Sequence, residues 1–459
     1  MKRYDSYKDS GVEWIGQIPS DWECIRLGML GDFSSSGIDK KSNEDETPVR
    51  MVNYTDIIQS RKYYPIQTGE KEYMRVTTPQ SKFKEHKLER GDMVFIPSSE
   101  THEDLGYSSL IDFDEEDIVY SYHILRYKIK KPVYHYYKKY LINHHSVLNQ
   151  FSSECKGTTR QIIGRDVFNS VRVVLPPLSE QQQIVSFLDT KTSLIDSLIE
   201  KTQRKIELLK EQRISLVNEV VTKGLNSNVE MKDSEVEWIG EIPNHWKYIP
   251  TKYFTEEKNG VQTGPFGTQL NTQDYVESGV RVIDQKNLID ENYDIDDDFI
   301  SHDKFEELSG FDLQKGDIIM GTRGSFGRGK RTTFGKVSII PKGLGDSVLH
   351  PCLIRIRLKE DFVQKRYYCY YVNDSTHFLE DLKTRSNSTT IEVIYGTILK
   401  NIRIPVPPVS EQQQIVEYLD EQTQKIDETI YKEEKRIELL KDYKQSLISE
   451  VVTGKKRVV

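Results

Sequence analysis

At 459 residues the chain is too long for one ordinary core, and domains of roughly 100–200 residues imply two to four folding units. Apolar residues make up 36%, aromatic residues 10% and charged residues 30%, enough for packed cores, which excludes a disordered chain. The net charge of −8 argues against a uniformly basic nucleic-acid binder, so any contact with phosphate must come from local cationic clusters.

No stretch approaches the roughly 18 apolar residues needed to span a bilayer, and residues 1–14 lack the apolar core of a signal peptide, so a cytoplasmic protein is expected. Cys24, Cys155, Cys352 and Cys369 are scattered without a Cys-x-x-Cys pair, which predicts buried free thiols and neither a zinc knuckle nor a disulfide framework.

In chain order, the first recognisable element is residues 9–22, DSGVEWIGQIPSDW, which returns 224 residues later as DSEVEWIGEIPNHW at 233–246. Such a repeat decides the architecture before any local reading does. Short β-branched runs between turn residues predict strands at 48–53, 92–97 and 171–175, and again at 279–284, 317–321 and 402–406. Each half is therefore read as an α+β head. A Leu-x-Arg/Lys-Gly-Asp turn, at Leu88 and again at Leu313, leads into one strand of each head and then into a polar loop.

These loops carry the candidate nucleic-acid contacts. In the first head they are Ser98, Ser99 and Thr101, joined by Arg160 and by Lys128 and Lys130 of a basic, tyrosine-rich stretch at 128–140. In the second they are Thr263, Phe266, Arg323, Ser325, Arg328, Lys330 and Arg331, within or near a basic stretch at 321–336 that holds no acidic residue. Hydroxyls and cations of this kind can meet phosphates and base edges, whereas a solvated turn is the plainer reading of any one of them. The sequence between the repeated anchors differs: Thr263-Gly-Pro-Phe-Gly267 has no partner in the first half. One frame thus holds two unlike surfaces.

After each head comes a long Gly- and Pro-free segment, opening PPLSEQQQIV at 176–185 and PPVSEQQQIV at 407–416. Ser179 with Gln182 predicts a capping box, and the glutamine run reads as a helix start. Leu188, Thr192, Ile195, Ile199, Thr202, Ile206, Leu209, Arg213, Leu216 and Val220 follow the alternating steps of a coiled-coil seam, copied from Leu419 to Val451. Arg213 and Lys444 interrupt equivalent seam positions, either as a polar layer or by reaching solvent. About 43 residues at 1.5 Å each make a spacer of about 65 Å, and antiparallel pairing of the two helices would put the heads at opposite ends. Val185, Leu194, Leu198, Leu208 and Val217 widen the apolar stripe enough for partner helices. The organisation expected is 1–175 and 233–405 for the heads, 176–224 and 406–459 for the helices, and 225–232 as a linker.

No catalytic motif accompanies this plan. Residues 324–330 have the spacing of a phosphate-binding loop, but Arg331 stands where magnesium binding needs Ser or Thr. Both Pro-Pro pairs precede Leu178 or Val409 rather than an aromatic residue, so no adenine-methylation motif is present, and His102-Glu103 and His144-His145 read as surface residues rather than metal ligands.

Taken together, the twice-written PPxSEQQQI helix start, the EWIGxIP header and Gly264-Pro-Phe-Gly267 resemble the specificity subunits of Type I restriction-modification systems, over essentially the whole chain. The resemblance implies two target-recognition domains, each reading half of an interrupted asymmetric DNA site, separated by paired antiparallel helices in a pseudo-two-fold duplication. It also implies a chain that is not itself an enzyme. Two methyltransferase subunits would dock on the helices, at Gln182, Ile184, Leu188 and Ile199 and at Gln413, Ile415, Leu419 and Ile430, and would carry S-adenosylmethionine. Motor-nuclease subunits would bring ATP and magnesium. The first head lacks the Gly-Pro-Phe-Gly loop, which places it in a different recognition class. The alternatives are a coiled-coil scaffold joining two protein-binding heads and a specificity subunit of a fused-enzyme system.

Overall fold

A computed structural model describes residues 3–60, 65–289, 291–293, 298–324, 333–385 and 392–458. The chain divides into two compact units, one built from residues 1–203 and 434–459, the other from 204–433. Each unit takes one head together with part of both long helices.

The first unit opens with an antiparallel hairpin, Tyr7–Asp9 against Gln17–Pro19, closed through Gly16 at φ +69°, a left-handed conformation that glycine adopts without a Cβ penalty. The repeated header motif is therefore structural. Its Ile15, Ile18 and Trp22 are buried, while Trp14 stays 44% exposed. Strand Glu23–Arg26 pairs antiparallel with Arg172–Leu175, so the strand that ends the head lies beside one that begins it. Between them lie a five-stranded sheet, ordered Gly31–Ser35, Leu125–Ile129, Met93–Phe95, Ser108–Ile111 and Ile66–Gln67, and a three-stranded sheet, ordered Ile118–Tyr120, Thr47–Val52 and Met74–Thr78.

The second unit repeats the plan. The hairpin is Met231–Asp233 with Glu241–Pro243, and Lys247–Pro250 pairs with Arg403–Val406. One sheet runs Val261–Thr263, Leu353–Ile356, Ile318–Gly321, Val337–Ile339, and the other runs Tyr275–Val276, Phe299–Ile300, Val280–Ile283, Ser347–Leu349. In both units the Gly-Asp turn explains itself. Gly91 and Gly316 sit at φ +93° and +84°, and the buried carboxylates of Asp92 and Asp317 accept the amides of Glu89 and Gln314 at 3.0 and 2.9 Å.

The long helices span Leu178–Lys223 and Val409–Val452. Ser179 does not cap the first: the Pro177 carbonyl accepts the amides of Glu180 and Gln181, which puts Ser179 inside the opening turn. Both helices end at a glycine of positive φ, Gly224 and Gly454, the usual left-handed stop. The glutamine run does more than start a helix. Gln181, buried, donates to the Pro176 carbonyl and accepts the Tyr134 amide at 2.8 Å, and Gln412 repeats this with Pro407 and Gln364.

Within each unit the two helix segments run antiparallel. In the first, Lys444 reaches Asp196 at 2.7 Å, and Leu188 and Ile195 share a core with Leu447 and Val451. In the second, Arg213 meets Asp427 at 3.0 Å and Asp374 at 2.5 Å. The seam cations therefore form register-fixing pairs across the helices. Because Asp196 and Asp427 hold corresponding places in the two copies, the duplication extends to the pairing itself. We expect Arg213→Met to cost about 1–2 kcal/mol and Lys444→Met about 1 kcal/mol, less than a fully buried pair because water reaches both sites. Equal losses in urea unfolding would count against the second carboxylate on Arg213.

Four further sequence expectations differ from the structure. Ile184, Leu188, Ile415, Leu419 and Ile430 are buried in the chain's own cores, so their side chains cannot receive a partner; Ile199 is half-buried, and Gln182 and Gln413 are exposed. The basic stretch at 128–140 is split: Lys128, Lys130 and Lys131 are exposed, whereas Tyr137 and Tyr140 are core residues, Lys139 is buried against Asp189 at 2.7 Å, and Lys138 donates to the Gly91 carbonyl. His144 is buried rather than on the surface. The four cysteines are free but only partly buried. No helix among the described residues is long and apolar enough to cross a membrane.

Candidate nucleic-acid interface

The strand that follows each Gly-Asp turn does not end in a loop. In the first head the chain continues from Met93–Phe95 into Ser98–Ser99, which pairs antiparallel with Gln161–Ile162. In the second it continues from Ile318–Gly321 into Arg323–Gly324, which pairs with Glu392–Val393. Each head thus presents a short two-stranded ribbon built from two distant segments, at corresponding positions of the repeated frame. Two-residue strands carry no periodicity, which is why the second strand of each ribbon escaped sequence reasoning.

At the first ribbon, Arg160 is exposed and donates from Nε to Ser98 Oγ at 3.4 Å. Ser99 is buried, and Asp104 gathers its neighbours: Thr101 Oγ1 donates at 2.6 Å and Tyr54 OH at 3.0 Å. Ser99 therefore shapes the ribbon from within, Thr101 is exposed but held by Asp104, and Ser98 and Arg160 remain at the ribbon's surface. Close by, exposed Tyr122 lies against His123, with ring centres 3.8 Å apart. Burial first, then Arg160 and Lys40, hold the His123 imidazole below its ordinary pKa, which places both cations near it. Tyr54, Tyr122 and His123 were not singled out from the sequence; an isolated Tyr-His pair gives no signal until the fold brings it beside Arg160. Lys128 and Lys130 lie on the Leu125–Ile129 strand and just beyond it, and are paired with Glu89 and Asp32.

The second ribbon is furnished differently. Arg323 is exposed, and its backbone carbonyl accepts Gln285 Nε2 at 2.9 Å. Thr263 ends a strand beside Gly396, where an added Cβ would stand 3.0 Å from the Thr263 hydroxyl. Gly264 lies so close to the His350 carbonyl that a Cβ would come within 2.2 Å, so only glycine fits and the next residues are thrown outward. Phe266, 73% exposed, and Tyr395, 60% exposed, flank this end of the head. An aromatic ring left this open has no packing role and is suited to stacking or groove contact. Ser325, Arg328, Lys330 and Arg331 lie outside the described residues. Among the described residues no cluster of His, Cys, Asp and Glu could hold a metal.

Residues 19–208 and 229–439 each match the Type I restriction modification DNA specificity domain. The chain is 26% identical to the Type I restriction enzyme MjaVIII specificity subunit of Methanocaldococcus jannaschii, covering 96% of this chain and 94% of that protein. It is 25% identical to the EcoKI specificity subunit of Escherichia coli over 60% of this chain and 55% of that one. Among solved structures, a chain from work on complex assembly and conformational transition of the type I R-M system aligns with a TM-score of 0.70 at 16% identity, covering 95% of this chain and 98% of that one. The HsdS subunit of Thermoanaerobacter tengcongensis aligns at 0.54 and 15% identity, covering 96% and 98%. With two domain matches that together span most of its length, on a duplicated head-and-helix frame, the chain belongs to the Type I restriction-modification specificity subunits.

Proposed function

We propose that each head reads one half of an asymmetric, interrupted DNA site through its ribbon, and that the chain performs no chemistry itself. The observation that carries this is the paired ribbons: the same place in the duplicated frame holds Ser98 and Arg160 in one head and Arg323 in the other. Unlike donors on like scaffolds discriminate unlike base sequences, since arginine favours guanine edges and hydroxyls accept several partners. Two methyltransferase subunits, bringing S-adenosylmethionine, methylate adenine at N6 on the addressed site. Motor-nuclease subunits bring ATP and magnesium, and the assembly works in the cytoplasm.

Base-resolution mapping of methylated adenines in cells making the chain with its partners tests this reading, and two half-sites around a fixed unread spacer are expected. A single contiguous motif overturns it. For the second head, Arg323→Ala should weaken cognate binding about 10- to 100-fold, about 1–3 kcal/mol, and relax preference in one half-site only. A coiled-coil scaffold for proteins would show no change in DNA binding.

A further inference from the structure

On the first head, two adjoining grooves of about 770 and 520 Å³ share Arg26 and the 66% exposed Met29. Arg126, Lys128, Lys130 and Arg165 line the first, and Lys8, Lys131 and Arg172 line the second. Such a concentration of cations is notable on a chain of net charge −8.

Part of that charge is already answered. Lys130 pairs with Asp32, Lys128 with Glu89 at 2.5 Å, and Arg165 donates to the Phe33 carbonyl. Arg126 donates to Ser34 Oγ at 3.1 Å and to the Lys87 carbonyl. Lys8, Arg26 and Lys131 are exposed and make no ion pair among the described residues. Asp32 lines the first groove and Asp9 and Glu23 the second, so the cations outnumber the carboxylates, and like charges in such excess repel one another unless a further anion lies between them.

The groove is joined to the reading ribbon. Arg165 follows the ribbon strand Gln161–Ile162 by three residues, and Leu125, one residue before Arg126, pairs with Phe95, three residues before Ser98. From that end the cations run down the strand Leu125–Ile129, about 13 Å at about 3.3 Å per residue, toward Lys130 and Lys131.

The second head keeps part of this charge: by register and repeat Lys232 stands for Lys8, Arg355, Arg357 and Lys359 for Arg126, Lys128 and Lys130, and Arg403 for Arg172. By strand register and repeat, Pro250 stands where Arg26 does, Glu360 where Lys131 does and Gly396 where Arg165 does. Arg26, Lys131 and Arg165 are therefore the cations that belong to the first head alone, and the shared frame does not account for them.

We propose that this groove is a phosphodiester track that holds the DNA backbone beyond the half-site read by the first head. The inference rests on the DNA-reading function proposed above. A nucleic-acid backbone fits better than an acidic protein segment because the floor offers one exposed apolar side chain, Met29, and interfaces with proteins are anchored by apolar and aromatic residues. Backbone contacts need only placed charge.

The test uses the full chain and a fluorescent duplex carrying the mapped site, with a scrambled duplex beside it. The triple variant Lys8→Ala, Arg26→Ala, Lys131→Ala should reduce the slope of log affinity against log salt by about 2–3, at about 0.9 for each phosphate no longer neutralised. Preference for the mapped over the scrambled duplex should persist. Trimming the duplex on the first head's side should weaken the wild type and leave the variant unaffected, whereas trimming the other side should affect both alike. All three residues are exposed, and an unchanged thermal melt shows that the variant is folded. If sequence-selective binding persists with an unchanged salt slope in the variant, the track is refuted while the reading function stands. Poly-glutamate bound by the wild type and not by that variant, with the slope unchanged, assigns the groove to an acidic protein instead. A wild-type chain indifferent to DNA sequence removes the proposed function, and the track with it.

Discussion

Replacing Trp246 with alanine should lower the stability of the chain by about 3–5 kcal/mol, the range for removing a large aromatic side chain from a core. Trp246 is buried where three pieces of the second unit meet. Its indole Nε1 donates to Glu411, in the first turn of the second long helix, at 3.1 Å. Its ring packs against Gly224, the stop of the first helix, so closely that a Cβ there would lie 3.0 Å from Cζ2. Truncation leaves a cavity and deprives Glu411 of a donor, although His245 still bonds it at 2.9 Å. Trp22 holds the corresponding place in the first unit, between Glu180 and Gly454, and the same loss is expected there. Trp14, in the same repeated motif and 44% exposed, is the control: Trp14→Ala should cost less than about 1 kcal/mol. Urea unfolding followed by far-ultraviolet circular dichroism measures all three, and similar losses for Trp14 and Trp246 would refute this account of the motif.

Much of the frame was legible because duplication is a global signal. Two copies of EWIGxIP and PPxSEQQQI locate heads and helices without any local propensity, and a seam of apolar steps over four turns or more fixes a helix. What the seam cannot say is what covers it. Ile184 and Leu188 satisfy the same pattern whether a partner or the chain's own head packs on them, and here the head does. Polar residues misled for the related reason that composition is blind to burial. Gln181 and Gln412 look like solvated helix formers yet serve as internal clamps, and Lys139 looks like a surface cation yet is buried on Asp189. The candidate interface was half legible. Ser98 and Arg323 follow a turn with a clear signature, whereas their pairing with Gln161–Ile162 and Glu392–Val393 spans 62 to 70 residues and leaves no local trace.

Acid should weaken the first unit through His144. The imidazole is 2% exposed, and its Nδ1 has no hydrogen-bond partner. Burial, followed by the neighbouring charges of His145 and Lys455, pushes its pKa down to about 3. A histidine whose folded pKa lies below its unfolded value of about 6.5 contributes fully above pH 6.5 and loses that contribution as pH falls toward 3, because the unfolded chain takes up the proton first. Between pH 7 and pH 5 the loss should be about 2 kcal/mol, at about 1.36 kcal/mol for each unit of pKa difference. His86 and His145 are shifted the same way, chiefly by burial, so the pH dependence of the wild type is a sum. His144→Met isolates one share: it keeps an apolar side chain in the site and has no proton to gain. Urea unfolding at both pH values should show the gap between pH 7 and pH 5 narrowing by about 2 kcal/mol in the variant. An unchanged gap would mean that the ring is already solvated in the folded chain, and that the packing of His144 beside the helix end does not persist in solution.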